Sequence, residues 1–88
     1  MKTNTFGEAI EAIKKGAKIS RLGWNGKEQY VELGKCISYA NAKGELINAD
    51  HKDLRDRVLV FVGTNGVQVG WLASQADILA EDWMIGWD

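Results

Sequence analysis

Polar and apolar positions along the chain change period several times, and each change marks an element. Phe6, Ala9, Ile10 and Ile13 recur at helical spacing, with Glu8, Glu11, Lys14 and Lys15 largely elsewhere. Thr5-Phe6-Gly7-Glu8 fits a capping box, in which the threonine oxygen accepts a backbone N–H and the glutamate reaches back. Gly16 is placed to end the helix in the left-handed conformation. Residues 5–15 therefore read as an amphipathic helix.

Alternation of period two follows. Ala17 to Leu22 reads as a strand, Asn25-Gly26 as a tight turn, and Gln29 to Leu33 as a second strand. Cys36 to Tyr39 is a candidate third strand, with Asn41-Ala42-Lys43-Gly44 as its turn. Asn48 to Arg57 is rich in charge, lacks periodicity and reads as a loop with room for one helical turn. Val58 to Val62 is an apolar strand, Thr64-Asn65-Gly66 turns the chain, and Val67 to Leu72 returns antiparallel. Ser74-Gln75-Ala76-Asp77 repeats the capping pattern with aspartate as the acid. It predicts a short helix through Ala80 with Ile78 and Leu79 facing inward. Trp83 to Trp87 closes the sheet as a last strand.

These elements predict one α+β domain over residues 1–88. Its antiparallel sheet has about five strands, with one main N-terminal helix packed on it and a short C-terminal helix. An 88-residue chain buries about 60–65% of its unfolded surface, which leaves a thin core. Disulfides and structural metals are the usual remedies, but Cys36 and His51 are the only residues of their types. Assembly into a homo-oligomer remains. A single cysteine suits a reducing cytoplasm, and no apolar run approaches the length of a membrane span. Met1 to Glu8 lacks the apolar core of a signal peptide.

Charge narrows the partners. Residues 1–27 carry six basic side chains against two acidic ones, and residues 28–88 carry five against ten. The basic excess suits a small phosphorylated molecule but is thin for a DNA duplex. A solvated lysine face on the first helix accounts for most of it.

The candidate chemistry favours binding over catalysis. His51 lies in an irregular charged segment and reads as a surface residue, and Cys36 as a small buried thiol. Glu81 and Asp82 are adjacent and diverge in direction, and the turn between Gly63 and Gly66 lacks the lysine of a phosphate loop. No catalytic constellation, metal site or cofactor motif is present. Arg21, Trp24 and Asn25 by contrast cluster where a strand runs into a turn. A guanidinium suits phosphate and an indole face suits a nucleobase. Trp71 precedes Ser74 and Gln75, where a helix N-terminus offers N–H groups to an anion. Asp77 and Asp82 can accept hydrogen bonds from ribose hydroxyls or a base amine. Phe6 is either a core staple or a pocket wall. Indoles also supply core area in small domains, and Trp83 and Trp87 read as core or interface.

Two motif blocks together resemble a known family. They are Phe6-Gly-Glu-Ala9-Ile10 … Gly16 … Ile19-Ser-Arg21-Leu-Gly23-Trp24-Asn25-Gly26, and Trp71-Leu-Ala-Ser74-Gln75-Ala-Asp77-Ile-Leu-Ala80-Glu81-Asp82-Trp83. The chain is similar, from Thr5 to Trp83, to the Thoeris anti-defence proteins of the second type, found in phages and prophages. Residues 34–57 carry little of the pattern. The resemblance implies a non-catalytic sponge that binds a glycocyclic ADP-ribose messenger made by a TIR-domain enzyme. It implies a homotetramer with ligand between protomers, acting in the cytoplasm of an infected bacterium. Some members also bind cyclic oligonucleotide signals. On residue chemistry, Phe6, Trp24 and Trp71 would form pocket walls, and Arg21, Asn25, Ser74, Gln75, Asp77 and Asp82 the polar contacts. The rival readings are a direct protein–protein inhibitor of a defence enzyme, an enzyme degrading the same signal, and a single-stranded nucleic-acid binder.

Overall fold

The computed structural model describes residues 2–24, 28–35, 39–47 and 57–87. Asn25, Cys36 and His51 lie outside these residues, as do the Asn25-Gly26 turn, the start of the candidate third strand and most of the 48–57 loop. The elements run α1 (Phe6–Ile13), β1 (Lys18–Arg21), β2 (Tyr30–Gly34), β3 (Tyr39–Ala40), β4 (Leu46–Ile47), β5 (Val58–Gly63), β6 (Gly66–Val69), α2 (Gln75–Leu79) and β7 (Trp83–Gly86). Five strands form an antiparallel sheet in the order β6-β5-β2-β1-β7, and β3 with β4 makes a separate hairpin. The α+β architecture with five main strands, a leading helix and a short late helix matches the sequence reading.

Both capping boxes form. Thr5 Oγ1 accepts from the Glu8 N–H at 3.2 Å, while the Thr5 N–H donates to Glu8 Oε1 at 2.8 Å. The Glu8 carboxyl is held below its ordinary range by the bond from the Thr5 N–H and then by one that the Thr5 hydroxyl donates to Oε1 at 3.2 Å. Helix α1 buries Ala9, Ala12 and Ile13 and ends early, its cap Lys14 leading into Gly16 at φ +103°. In the β3–β4 hairpin, Asn41 organises the predicted turn: its Oδ1 accepts from the Lys43 and Glu45 N–H groups.

Strand alternation sorts the sheet into two faces. Register places Ile19 beside Val31 and Ile85, Val31 beside Phe61, and Leu33 beside Leu59 on the inner face. That face carries α1, and its centre is Ala9, Ile13, Ile19, Val31 and Trp83. The outer face carries Lys18, Tyr30, Glu32, Val60, Val62, Val67, Val69 and Met84, and Val67 and Val69 are exposed.

Two departures matter for the site. Strand β6 stops at Val69 rather than Leu72, because Gly70 takes φ +86° and turns the chain. The Gly70 and Trp71 N–H groups both donate to the Leu59 carbonyl, at 2.9 and 3.0 Å, which anchors Trp71 at the sheet rim. In α2, Ile78 and Leu79 do not face inward: both are exposed, Leu79 by 75%. In so short a helix the inward position goes to Asp77, which is held by Arg21, so the aliphatic residues rotate outward.

Trp83 is wholly buried, and this decides its role as core; Trp87 is exposed. The Trp83 backbone pairs with Asn4 through reciprocal bonds of 2.8 and 3.0 Å, and with Arg21 across β1. Trp83→Ala should cost about 3–5 kcal/mol of unfolding free energy in urea titration. Thr5→Ala should cost about 1 kcal/mol. Similar losses from the two would show that the indole is not central to the core.

Candidate functional site

Three aromatic rings converge at one end of the inner face. Trp24 follows the end of β1, where its N–H donates to the Arg21 carbonyl at 3.2 Å and turns the chain back. Phe61 projects from β5 on the face shared with Val31. Gly63, two residues along the same face, makes room for it: a Cβ there would lie 2.8 Å from the Phe61 ring. Trp71 enters from the Gly70 turn. Trp24 meets Phe61 edge-on at 5.4 Å and Trp71 edge-on at 6.2 Å, while Phe61 and Trp71 stack at 6.5 Å and 21°. These geometries suit the ring quadrupoles, which disfavour direct face-to-face contact.

The rings border an open cavity of about 280 Å³ lined by Trp24, Gln29, Phe61, Trp71 and Asp77. Ligand pockets commonly span about 300–1,000 Å³, so one chain offers room for part of a dinucleotide-sized molecule. A larger depression of about 740 Å³ lies towards the outer face, among Lys18, Glu28, Tyr30, Val62 and Thr64. Its Lys18 ammonium already sits 4.6 Å above the Tyr30 ring, and the acidic Glu28 lines the same depression. The smaller cavity combines flat apolar walls with a convergent carboxylate and amide, the mixture that orients a ring-bearing ligand.

Asp77 joins the cavity to the scaffold. Its Oδ1 accepts from Arg21 Nη1 at 3.0 Å and its Oδ2 from the Ser74 N–H at 3.0 Å. Its own N–H donates to Ser74 Oγ at 3.1 Å, and its carbonyl accepts the Trp83 indole N–H at 2.9 Å. Arg21 Nε donates to Asp82 Oδ1 at 3.0 Å. Burial pushes the Asp77 carboxyl up, but the bonds from Ser74 and the Arg21 charge outweigh it and hold the group below its ordinary range. The Arg21 guanidinium is raised by its bonds to Asp82 and then Asp77.

Of the sequence candidates, Trp24, Trp71 and Asp77 line the cavity together. Phe6 does not: it packs on Trp83 at 5.5 Å. Arg21 and Asp82 sit behind Asp77, paired to each other. Ser74 spends its hydroxyl and its N–H on the cap, and Gln75 is exposed beyond it. Asn25 lies outside the described residues. Phe61 and Gln29 were missed. Phe61 sits in an uninterrupted apolar run that reads as core, and only the neighbouring Gly63 hints that its ring needs space. Among the described residues, no group of three His, Cys, Asp or Glu side chains could hold a metal. None of their helices is long and apolar enough to cross a membrane.

The family model described as Thoeris anti-defense 2-like domain matches residues 4–86. The chain is also 37% identical over 90 residues to Thoeris anti-defense 2 of Bacillus phage SP01, covering 97% of this chain and 98% of that protein. The chain belongs to the Thoeris anti-defense 2-like family. The matched span runs from Asn4, which pairs with Trp83, to Gly86 at the end of β7, so it includes the whole five-stranded sheet and every residue lining the aromatic cavity.

The lowered Asp77 carboxyl sets a pH signature. A carboxylate depressed by folding contributes stability above its unfolded value, and that contribution is lost as pH falls through the folded value. Asp77→Asn should therefore lose about 1–3 kcal/mol at neutral pH in urea unfolding. The gap from wild type should narrow as pH drops below the ordinary carboxylate range. A gap that stayed constant into acid would mean that the charge of Asp77 contributes nothing.

Proposed function

We propose that this chain is an anti-defence sponge: it binds a glycocyclic ADP-ribose messenger stoichiometrically, without cleaving it, and keeps the Thoeris effector inactive. The observation that carries the reading is the aromatic cavity with Asp77 in its wall, in a chain belonging to the Thoeris anti-defense 2-like family. Trp24, Phe61 and Trp71 offer flat faces to an adenine ring, where stacking contributes about 1–3 kcal/mol per base. Asp77 and Gln29 offer polar contacts to ribose hydroxyls and base edges. Holding a messenger at nanomolar concentration needs about −12 kcal/mol, more than one open cavity of this size supplies.

Enclosure between protomers supplies the rest in this reading. Leu72 follows Trp71, Ile78 and Leu79 follow Asp77, and all three are exposed beside the cavity walls. A second copy covering them would close the pocket. The valine-rich outer face of β5 and β6 is a separate apolar surface, and two distinct self-complementary interfaces generate a tetramer. The sponge would act in the cytoplasm of the infected host, where the messenger is made. Binding of cyclic oligonucleotides belongs to the same proposal as a separate activity.

Calorimetric titration with a cyclic ADP-ribose isomer tests the cavity. Trp24→Ala and Trp71→Ala should each weaken binding roughly 10- to 100-fold, as expected from lost stacking. Analytical ultracentrifugation of Val67→Asp/Val69→Asp should show a smaller assembly than wild type. Unchanged affinity in both tryptophan variants would remove the cavity from the mechanism and favour a direct protein–protein inhibitor.

A further inference from the structure

The cavity has a carboxylate in its wall and a cation behind that carboxylate. Arg21 reaches Asp82 through Nε and Asp77 through Nη1, both at 3.0 Å, so two carboxylates neutralise one guanidinium. The three side chains together carry one negative charge. A phosphate approaching Arg21 would meet that excess. Among the described residues, those lining the cavity include no cation.

Asp77 is by contrast well placed to accept a further bond. One of its oxygens takes Arg21 and the other the Ser74 N–H, which leaves each with unused acceptor capacity. Its side chain is only 15% exposed, and the carboxylate borders the cavity beside Trp24 and Trp71.

We propose that Arg21 is a positioning residue, which acts on the ligand through Asp77 by fixing that carboxylate, ionised, as the acceptor for a hydroxyl or amino donor of a nucleoside. The aromatic cavity then takes the base-and-ribose part of the ligand, and the phosphates lie away from Arg21. This rests on the sequestering reading above. Among the described residues, the charged groups packed against Asp77 are Arg21 from β1 and, through it, Asp82 from the turn before β7; the Ser74 cap supplies the remaining polar contacts.

The test is the pH profile of binding, with a cyclic ADP-ribose isomer as probe. Wild-type affinity should hold as pH falls through the ordinary carboxylate range and decline only below it. In Arg21→Gln, affinity at neutral pH should fall less than tenfold, and the decline should begin at a higher pH. Arg21→Lys should restore the low onset by returning a cation beside Asp77. Protonation of the probe is common to all three proteins and cancels in the comparison. Were Arg21 a phosphate ligand, Arg21→Gln would instead lose affinity by one factor at every pH, with the onset unmoved, and that result overturns the proposal. Carboxyl-carbon NMR of wild type needs no variant to fold: the probe should push the Asp77 titration further down. An unmoved Asp77 titration in a protein that binds the probe overturns the positioning role alone. Absence of wild-type binding overturns the sponge reading and this proposal with it.

Discussion

Burial of the Trp83 indole is the constraint on which the rest of the structure depends. Its backbone is paired on both sides, with Asn4 and with Arg21, and its ring N–H is satisfied by the Asp77 carbonyl. Around it pack Phe6 at 5.5 Å, Trp24 at 5.5 Å and Trp71 at 6.4 Å. A buried indole donor without a partner would cost about 1–3 kcal/mol, so the ring and α2 must settle together. One residue thus joins the N-terminal segment, the first helix, the edge of the sheet and the loop that carries Trp71. In a chain with so thin a core, the same packing that stabilises the fold also sets the positions of the cavity walls.

The division of labour among the aromatic residues follows from this. Trp83 and Phe6 serve the interior, while Trp24, Phe61 and Trp71 are half-buried, packed against the core and lining the cavity. Rings supported from behind lose little freedom when a planar ligand arrives, and such preorganisation favours tight binding. Charge is arranged in the same economical way. Arg21, Asp77 and Asp82 hold β1, α2 and the approach to β7 together, and they place a carboxylate in the cavity wall.

Local pattern carried much of this. Capping boxes at Thr5 and Ser74, the Asn41–Gly44 turn and the turn before Gly66 are short-range devices, and each appears where the residue order places it. Alternation along Lys18–Arg21 and Tyr30–Leu33 sorted the sheet faces. What local pattern did not carry depends on contacts between residues far apart in sequence. Arg21 lies 56 residues from Asp77 and 61 from Asp82, so its pairing with them is not legible in the residue order. The same pairing turned Ile78 and Leu79 outward against the expectation of an inward apolar face. Phe61 went unnoticed because an apolar run has the same appearance whether it lines a cavity or fills a core. The tryptophans were legible as a group, but only packing separates Trp83, as core, from Trp24 and Trp71.

Retention without chemistry can be tested in one experiment. The purified protein is incubated with lysate containing the Thoeris messenger and separated by filtration, and the retained fraction is then heated and assayed for effector-activating signal. Signal should disappear from the filtrate and return intact from the denatured protein. Messenger left in the filtrate would contradict binding, and messenger lost from both fractions would contradict the absence of cleavage.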